Sequence, residues 1–191
     1  VKVIHNGVDR WITKFPKKKK QIIFSGRLNH EKGIIELIQA LKITLSNYKN
    51  WEFIIFGRDD TLNSHQIIKQ INNHPQIKFL GERSNKEVKK YLQNAEIACV
   101  PSKWEEPLSL SVLESLAAGC ALITSKKGGI PEIADGSAYL IDNINKDILI
   151  ETFQKFLSNQ SIRKKFQNLA WKDYRFSSKC ASRNLEKLRK C

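Results

Sequence analysis

Short apolar runs alternate with amphipathic stretches along this chain, and that alternation limits its fold more than any other feature. "QIIFSG" (21–26), "WEFIIFG" (51–57), "IKFLG" (77–81), "IACVPS" (97–102) and "CALITS" (120–125) are short and rich in β-branched or aromatic residues, and "SAYLID" (137–142) is a sixth such run. Runs of this length and composition read as buried strands. Between them lie apolar stripes at helical spacing: Ile34, Leu37, Ile38, Leu41 and Leu45; Ile67, Ile68 and Ile71; Val88, Tyr91 and Leu92; and Leu110, Leu113, Leu116 and Ala117, the last closed by Gly119. Strand–helix alternation predicts βαβ units and therefore a Rossmann-like, doubly wound parallel α/β sheet of about six strands. Such sheets place ligands outside the carboxyl ends of their strands. After Asp142 the strands stop, and 147–157, 161–170 and 178–190 read as consecutive helices.

The 191 residues suffice for one domain with a filled core, and a hydrophobic fraction of 41% excludes a disordered chain. We read 1–191 as a single unit: a linker over 1–16, the sheet and its helices over 17–142, and C-terminal helices over 143–191. The chain contains no methionine and opens within what reads as a linker, so it is expected to be part of a longer protein. A net charge of +14 points to an anionic partner such as phosphate, nucleic acid or an acidic membrane; a lysine-rich surface set by codon usage is the plain alternative. The single basic run, Lys17–Lys20, reads as a solvated loop. Cys99, Cys120, Cys180 and Cys191 form no C-x-x-C or metal spacing, and Cys99 and Cys120 fall inside apolar runs, as reduced core thiols of a cytoplasmic protein would. No apolar run reaches the roughly 20 residues that cross a bilayer.

Four segments carry possible chemistry, and all follow predicted strands. "SGRLNHEKGI" (25–34) joins a strand to a helix, where free backbone N–H groups favour an anion, and Arg27 and Lys32 add two cations. It is neither a Walker loop nor G-x-G-x-x-G, and a polar turn with two surface cations explains it equally. "WEEPLSLSVLESLAAG" (104–119) holds Glu106 and Glu114 eight positions apart. Were 106–114 all helix, they would differ by about 80° in direction and share no face. Pro107 pushes Glu106 out of the α region, so the helix is expected to start near Ser109. Both acids can then face one cleft, together with the amides of Ser109 and Leu110. Equally, Ser111-x-x-Glu114 matches a capping box, and Glu105 reads as a solvated charge. "KKGGIPEIADG" (126–136) offers Gly128 and Gly129, which allow a close backbone approach to a ligand or a neighbouring loop. "IFGRDD" (55–60) is weaker: Gly57 is permissive, and Arg58 reaches phosphate or water.

"GRLNHEKG", followed by "EEPLSLSVLESLAAGCALITSKKGGIPEI" and preceded by "NGVD", resembles the retaining GT-B glycosyltransferases of family four, and more narrowly their C-terminal, donor-binding domain. The resemblance runs from Asn6 to about Phe176. It rests on a Glu-x7-Glu signature at Glu106 and Glu114 with the G-R-x4-K-G turn upstream. It implies that Arg27 and Lys32 grip a nucleotide diphosphate, that Glu114 takes the ribose hydroxyls and that Glu106 lies beside the donor sugar. The amides of Ser109 and Leu110 would touch phosphate or sugar, and backbone around Phe79–Gly81 would border the base. It implies front-face attack, with no protein nucleophile, metal or cofactor; the donor is a nucleotide-diphosphate sugar, expected as a UDP-sugar. The acceptor, a glycan or lipid-linked glycan, would be held by an N-terminal domain, against which the last helix would pack. Two departures, "EPLSL" where the family often has Phe and Gly after the proline, and "GRDD" in place of Gly-Asp-Gly, bear on donor identity. The expected setting is surface polysaccharide synthesis at the inner face of the cell membrane, with peripheral contact to anionic lipid. Competing readings are a nucleotide-sugar epimerase or phosphorylase on the same fold, and a non-catalytic basic nucleotide- or nucleic-acid-binding module. No nucleic-acid-binding signature accompanies the lysines, so no specific nucleic-acid partner is expected.

Overall fold

A computed structural model describes residues 4–58, 62–71 and 74–189; Asp59 and Asp60 of "IFGRDD" lie outside these. Six strands form one all-parallel sheet: β1 (Lys19–Ser25), β2 (Glu52–Phe56), β3 (Ile77–Phe79), β4 (Ala95–Val100), β5 (Ala121–Ser125) and β6 (Tyr139–Ile141). Their order is β3-β2-β1-β4-β5-β6, with the direction of winding reversing between β1 and β4. The helices are α1 (Ile34–Leu45), α2 (Leu62–Ile71), α3 (Asn85–Asn94), α4 (Leu110–Ala117), α5 (Ile130–Ala134), α6 (Lys146–Ser158), α7 (Gln160–Lys172) and α8 (Ser178–Arg189).

The strands read as continuous apolar runs because both faces of the sheet are covered. Side chains alternate along each strand, so Ile22, Phe24, Phe53, Ile55, Ile97, Cys99 and Ile123 meet α1, α2 and α6 on one face. Ile23, Ile54, Phe56, Ala98, Val100 and Leu122 meet α3, α4 and α5 on the other. Each Ile, Leu or Phe so buried contributes about 1.5–3 kcal/mol relative to exposure. Helix boundaries follow local chemistry. Ser84 and Glu87 form a reciprocal capping box at the start of α3. Asn145 and Asn159 accept first-turn amides of α6 and α7, and Gly119 leaves α4 with a positive φ of 67°.

Three expectations change. The lysine run is not a solvated loop. Lys19 and Lys20 begin β1, and the Lys18 ammonium reaches under the domain to donate to the carbonyls of Ala118 (2.7 Å) and Leu92 (3.4 Å), where α4 and α3 end. A cation is favoured there because the carbonyl ends of two helices carry partial negative charge. Leu110 leaves the expected apolar stripe: it is 55% exposed on the first residue of α4, while Val112 and Leu113 turn inward. The Ser111–Glu114 capping box is absent. Ser109 occupies the N-cap, and the Ser111 hydroxyl instead donates to the Ser25 carbonyl (2.9 Å), tying α4 to the end of β1.

Candidate functional site

All four segments emerge at the carboxyl ends of strands, flanking the point between β1 and β4 where the sheet reverses direction. That placement follows from topology: connections leaving in opposite directions cannot fill the space between them. β1 ends at Ser25, and Gly26 donates its amide to the Phe56 carbonyl (3.1 Å). Arg27 follows, exposed and without a hydrogen bond or ion pair to any described residue. A 3₁₀ turn over His30–Lys32, capped by the Asn29 side chain, then presents Lys32, and Gly33 at a φ of 64° starts α1.

The β4–α4 loop is held from two sides. Towards α1, the Lys103 amide and Ser102 hydroxyl donate to the Glu31 carbonyl (2.7 and 3.4 Å), and Lys103 pairs with Glu36 (2.7 Å). Towards α5, the Gly129 amide donates to the Glu106 carbonyl (2.7 Å), while the Gly128 amide and the Lys127 ammonium bind Glu105. Those two donors hold the exposed Glu105 carboxyl below the usual carboxylate range. The approach is too close for a side chain. A Cβ on Gly128 would lie 2.2 Å from the Glu106 carbonyl oxygen, and one on Gly129 would lie 2.2 Å from that of Pro107. Of the two uses open to these glycines, the structure shows contact with a neighbouring loop.

The loop delivers Glu106 to Lys32. Nζ and Oε1 are 2.6 Å apart, and the side chains are only 20% and 9% exposed. Beyond Pro107, α4 begins at Leu110 with no side chain capping its first turn, so its leading amides have no side-chain partner at the positive end of the helix. Glu114, one turn further on, accepts a 2.6 Å hydrogen bond from the amide of Asn85 at the start of α3. A cleft of about 310 Å³ adjoins Arg27, bounded by Ser25, Gly57, Arg58, Glu82 and Val88. Arg58 is not turned solely to solvent: its guanidinium forks onto Glu82 (3.0 and 3.2 Å) and holds that carboxyl below its ordinary range. Gly81, with a φ of 71°, supports this wall by accepting the Gly57 amide (3.1 Å). A larger hollow, about 540 Å³, lies away from these residues, between His5, Arg175, Phe176 and α8. No group of three or more His, Cys, Asp or Glu among the described residues is placed to hold a metal.

Thus Lys32 and Glu106 touch, Ser111 links α4 to the end of β1 just before Arg27, and Glu114 bonds to α3. Asn85, Lys103 and Glu36 escaped the sequence reading. Their contacts join positions 29 and 67 residues apart, which no local pattern encodes.

Residues 6–173 match the family model of the glycosyl transferases group 1. The chain belongs to that family. An uncharacterized glycosyltransferase of Methanocaldococcus jannaschii is 29% identical over 192 residues, covering 91% of this chain and 49% of that protein. The C-terminal domain of a glycosyl transferase group 1 family protein from Francisella tularensis superposes with a TM-score of 0.68 at 26% identity, over 82% of this chain and 84% of that one. S. aureus TarM, solved as a mutant in complex with Fondaparinux, alpha-GlcNAc-glycerol and UDP, shares the fold, with a TM-score of 0.79 at 19% identity over 97% of this chain and 38% of that one. The domain is therefore the Rossmann-like half-fold of a GT-B glycosyltransferase. The chain spans between a third and about half of the length of curated relatives that it matches.

Proposed function

We propose that this chain is the donor-binding half of a retaining glycosyltransferase, and that the region where the loops after β1 and β4 meet, together with the adjoining cleft beside Arg27, takes a nucleotide-diphosphate sugar, in the first instance a UDP-sugar. The 2.6 Å pairing of Lys32 with Glu106 carries this reading, because it joins two separate motifs at one point beside the open start of α4. UDP in the TarM complex, on the same fold, supports the choice of nucleotide.

In this reading Arg27 and Lys32 hold the diphosphate. Arg27 presents a planar fork free to meet phosphate oxygens, and Lys32 a point charge fixed by its turn. The leading amides of α4, at Ser109 and Leu110, add dipolar donors, and Gly81 lends backbone beside the base. These groups stabilise the negative charge that grows on the leaving diphosphate. Glu114 accepts the ribose hydroxyls and Glu106 a hydroxyl of the donor sugar. Departure and attack occur on one face of the sugar, and the leaving phosphate takes the acceptor's proton. The acceptor, a glycan or lipid-linked glycan of a surface polysaccharide, is held by an N-terminal domain. Cys99, Cys120 and Cys180 are free thiols, which suits a cytoplasmic site of action.

Calorimetric titration with UDP, GDP and ADP, then with their sugars, tests this. Arg27→Ala weakens diphosphate binding by about tenfold or more, the loss of one charge-assisted contact, and barely alters nucleoside binding. Glu114→Ala weakens both. Equal effects of Arg27→Ala on the two ligands refute the phosphate role. Product analysis of the intact protein separates transfer to an acceptor from epimerisation or phosphorolysis.

A further inference from the structure

We infer that Asn85 is a positioning and specificity-determining residue, which aims the Glu114 carboxylate at the vicinal hydroxyls of a ribose and so makes the site select ribonucleotides over 2′-deoxyribonucleotides. The inference rests on the reading of Glu114 given above.

The two acids of the site are held differently. Glu106 is bound by a cation, which a phosphate competes for. Glu114 is bound by a neutral amide: Asn85 Nδ2 lies 2.6 Å from Oε1. The direction of that bond follows from charge, because a carboxylate only accepts, and an amide oxygen turned towards it would be repelled. One amide N–H uses one of about four lone-pair positions on a carboxylate, leaving enough for two hydroxyls. The contact also removes rotamer freedom from a half-buried Glu before any ligand arrives, so that ordering cost does not fall on binding.

Asn85 is well placed for this task. Its backbone is fixed as the first residue of α3, directly after Ser84, whose capping box with Glu87 closes the helix start. The segment entering α3 supplies Glu82 and Arg83 to the cleft wall beside Arg27. Asn85 therefore links that wall to the acid on α4. Its own side chain is exposed and supports no core contact, so a structural role gives it little to lose on truncation.

The test titrates UDP, GDP and ADP, each beside its 2′-deoxy counterpart, into wild type, Asn85→Ala, Asn85→Asp and Glu114→Ala. Wild type favours the ribose form. Asn85→Ala weakens the ribose form by about tenfold, as expected for a lost hydrogen bond to a charged group, leaves the deoxy form nearly unchanged, and collapses the preference. Asn85→Asp is the fold control. A carboxylate in the first turn of α3 is compatible with the helix, so a single cooperative melt of this variant shows that the domain still folds. Facing Glu114 it repels, and the ribose preference collapses further. A preference that survives in both Asn85 variants but is lost in Glu114→Ala overturns the role of Asn85 alone. A preference that survives in Glu114→Ala overturns the ribose reading beneath it as well.

Discussion

At the scale of single residues, the informative feature is that one cation and one acid of the site, Lys32 and Glu106, already satisfy one another. Lys32 and Glu106 lie largely out of solvent at 2.6 Å, where each neutralises a charge that would be costly alone. A diphosphate arriving at Lys32 must displace this internal carboxylate. Glu106→Gln therefore has two opposed effects. It leaves a half-buried ammonium with a weaker partner, lowering apo stability by about 1–3 kcal/mol. It also frees Lys32 for phosphate, so a plain nucleoside diphosphate binds more tightly than to wild type, although sugar transfer by the intact protein falls. Thermal melts with and without UDP read both effects: the variant melts lower alone and gains more from UDP. A variant that loses UDP affinity would show that Glu106 itself contacts the nucleotide.

At the scale of elements, glycines act as spacers that let loops from different strands touch. Gly33 has a φ of 64°, and a Cβ there would lie 2.1 Å from the Pro101 carbonyl oxygen, so the start of α1 rests directly on the end of β4. Gly128, with a φ of 55°, plays the same part between the β5–α5 loop and Glu106. Gly128→Ala meets both a disfavoured backbone and a backbone clash, at a cost of about 1–3 kcal/mol or more. The Glu106 loop must move to accommodate it. The expected outcome is a lower melting temperature together with weaker sugar-nucleotide binding, while binding of the plain nucleoside changes little. Unchanged sugar-nucleotide affinity would mean that the clasp does not position Glu106.

At the scale of the whole molecule, the two-sided core protects chemistry unrelated to the site. Cys99 and Cys120 are fully buried, one in each core, and burial pushes both thiols above their ordinary range. Cys180, on α8, is only partly covered. A thiol reagent applied to the folded protein should modify Cys180 rapidly, and Cys99 and Cys120 only as fast as the domain opens, so mass spectrometry of the time course measures global opening. Equal labelling of all three would contradict the packed sheet. No helix among the described residues is long and apolar enough to cross a membrane. The 12 residues of α8 include none that is buried, and Leu185 is 47% exposed, so this helix contributes little to the core beneath it.

The order of strands and helices, the break at Pro107 and the burial of Cys99 and Cys120 were legible in the linear chain, because each depends on a neighbour only a few residues away. Apolar period, proline sterics and glycine's tolerance of positive φ act locally. Which acid meets which cation was not legible. Neither was the use of Ser111 as a tie to β1 in place of a cap, the insertion of Lys18 beneath two helix ends, or the pairing of Asn85 with Glu114. Those contacts form only after the sheet has brought distant segments within about 3 Å, a range at which hydrogen bonds and ion pairs act but which sequence separation does not report. Local chemistry thus determined the elements and the segments that carry charge, and the tertiary structure decided which of those charges meet.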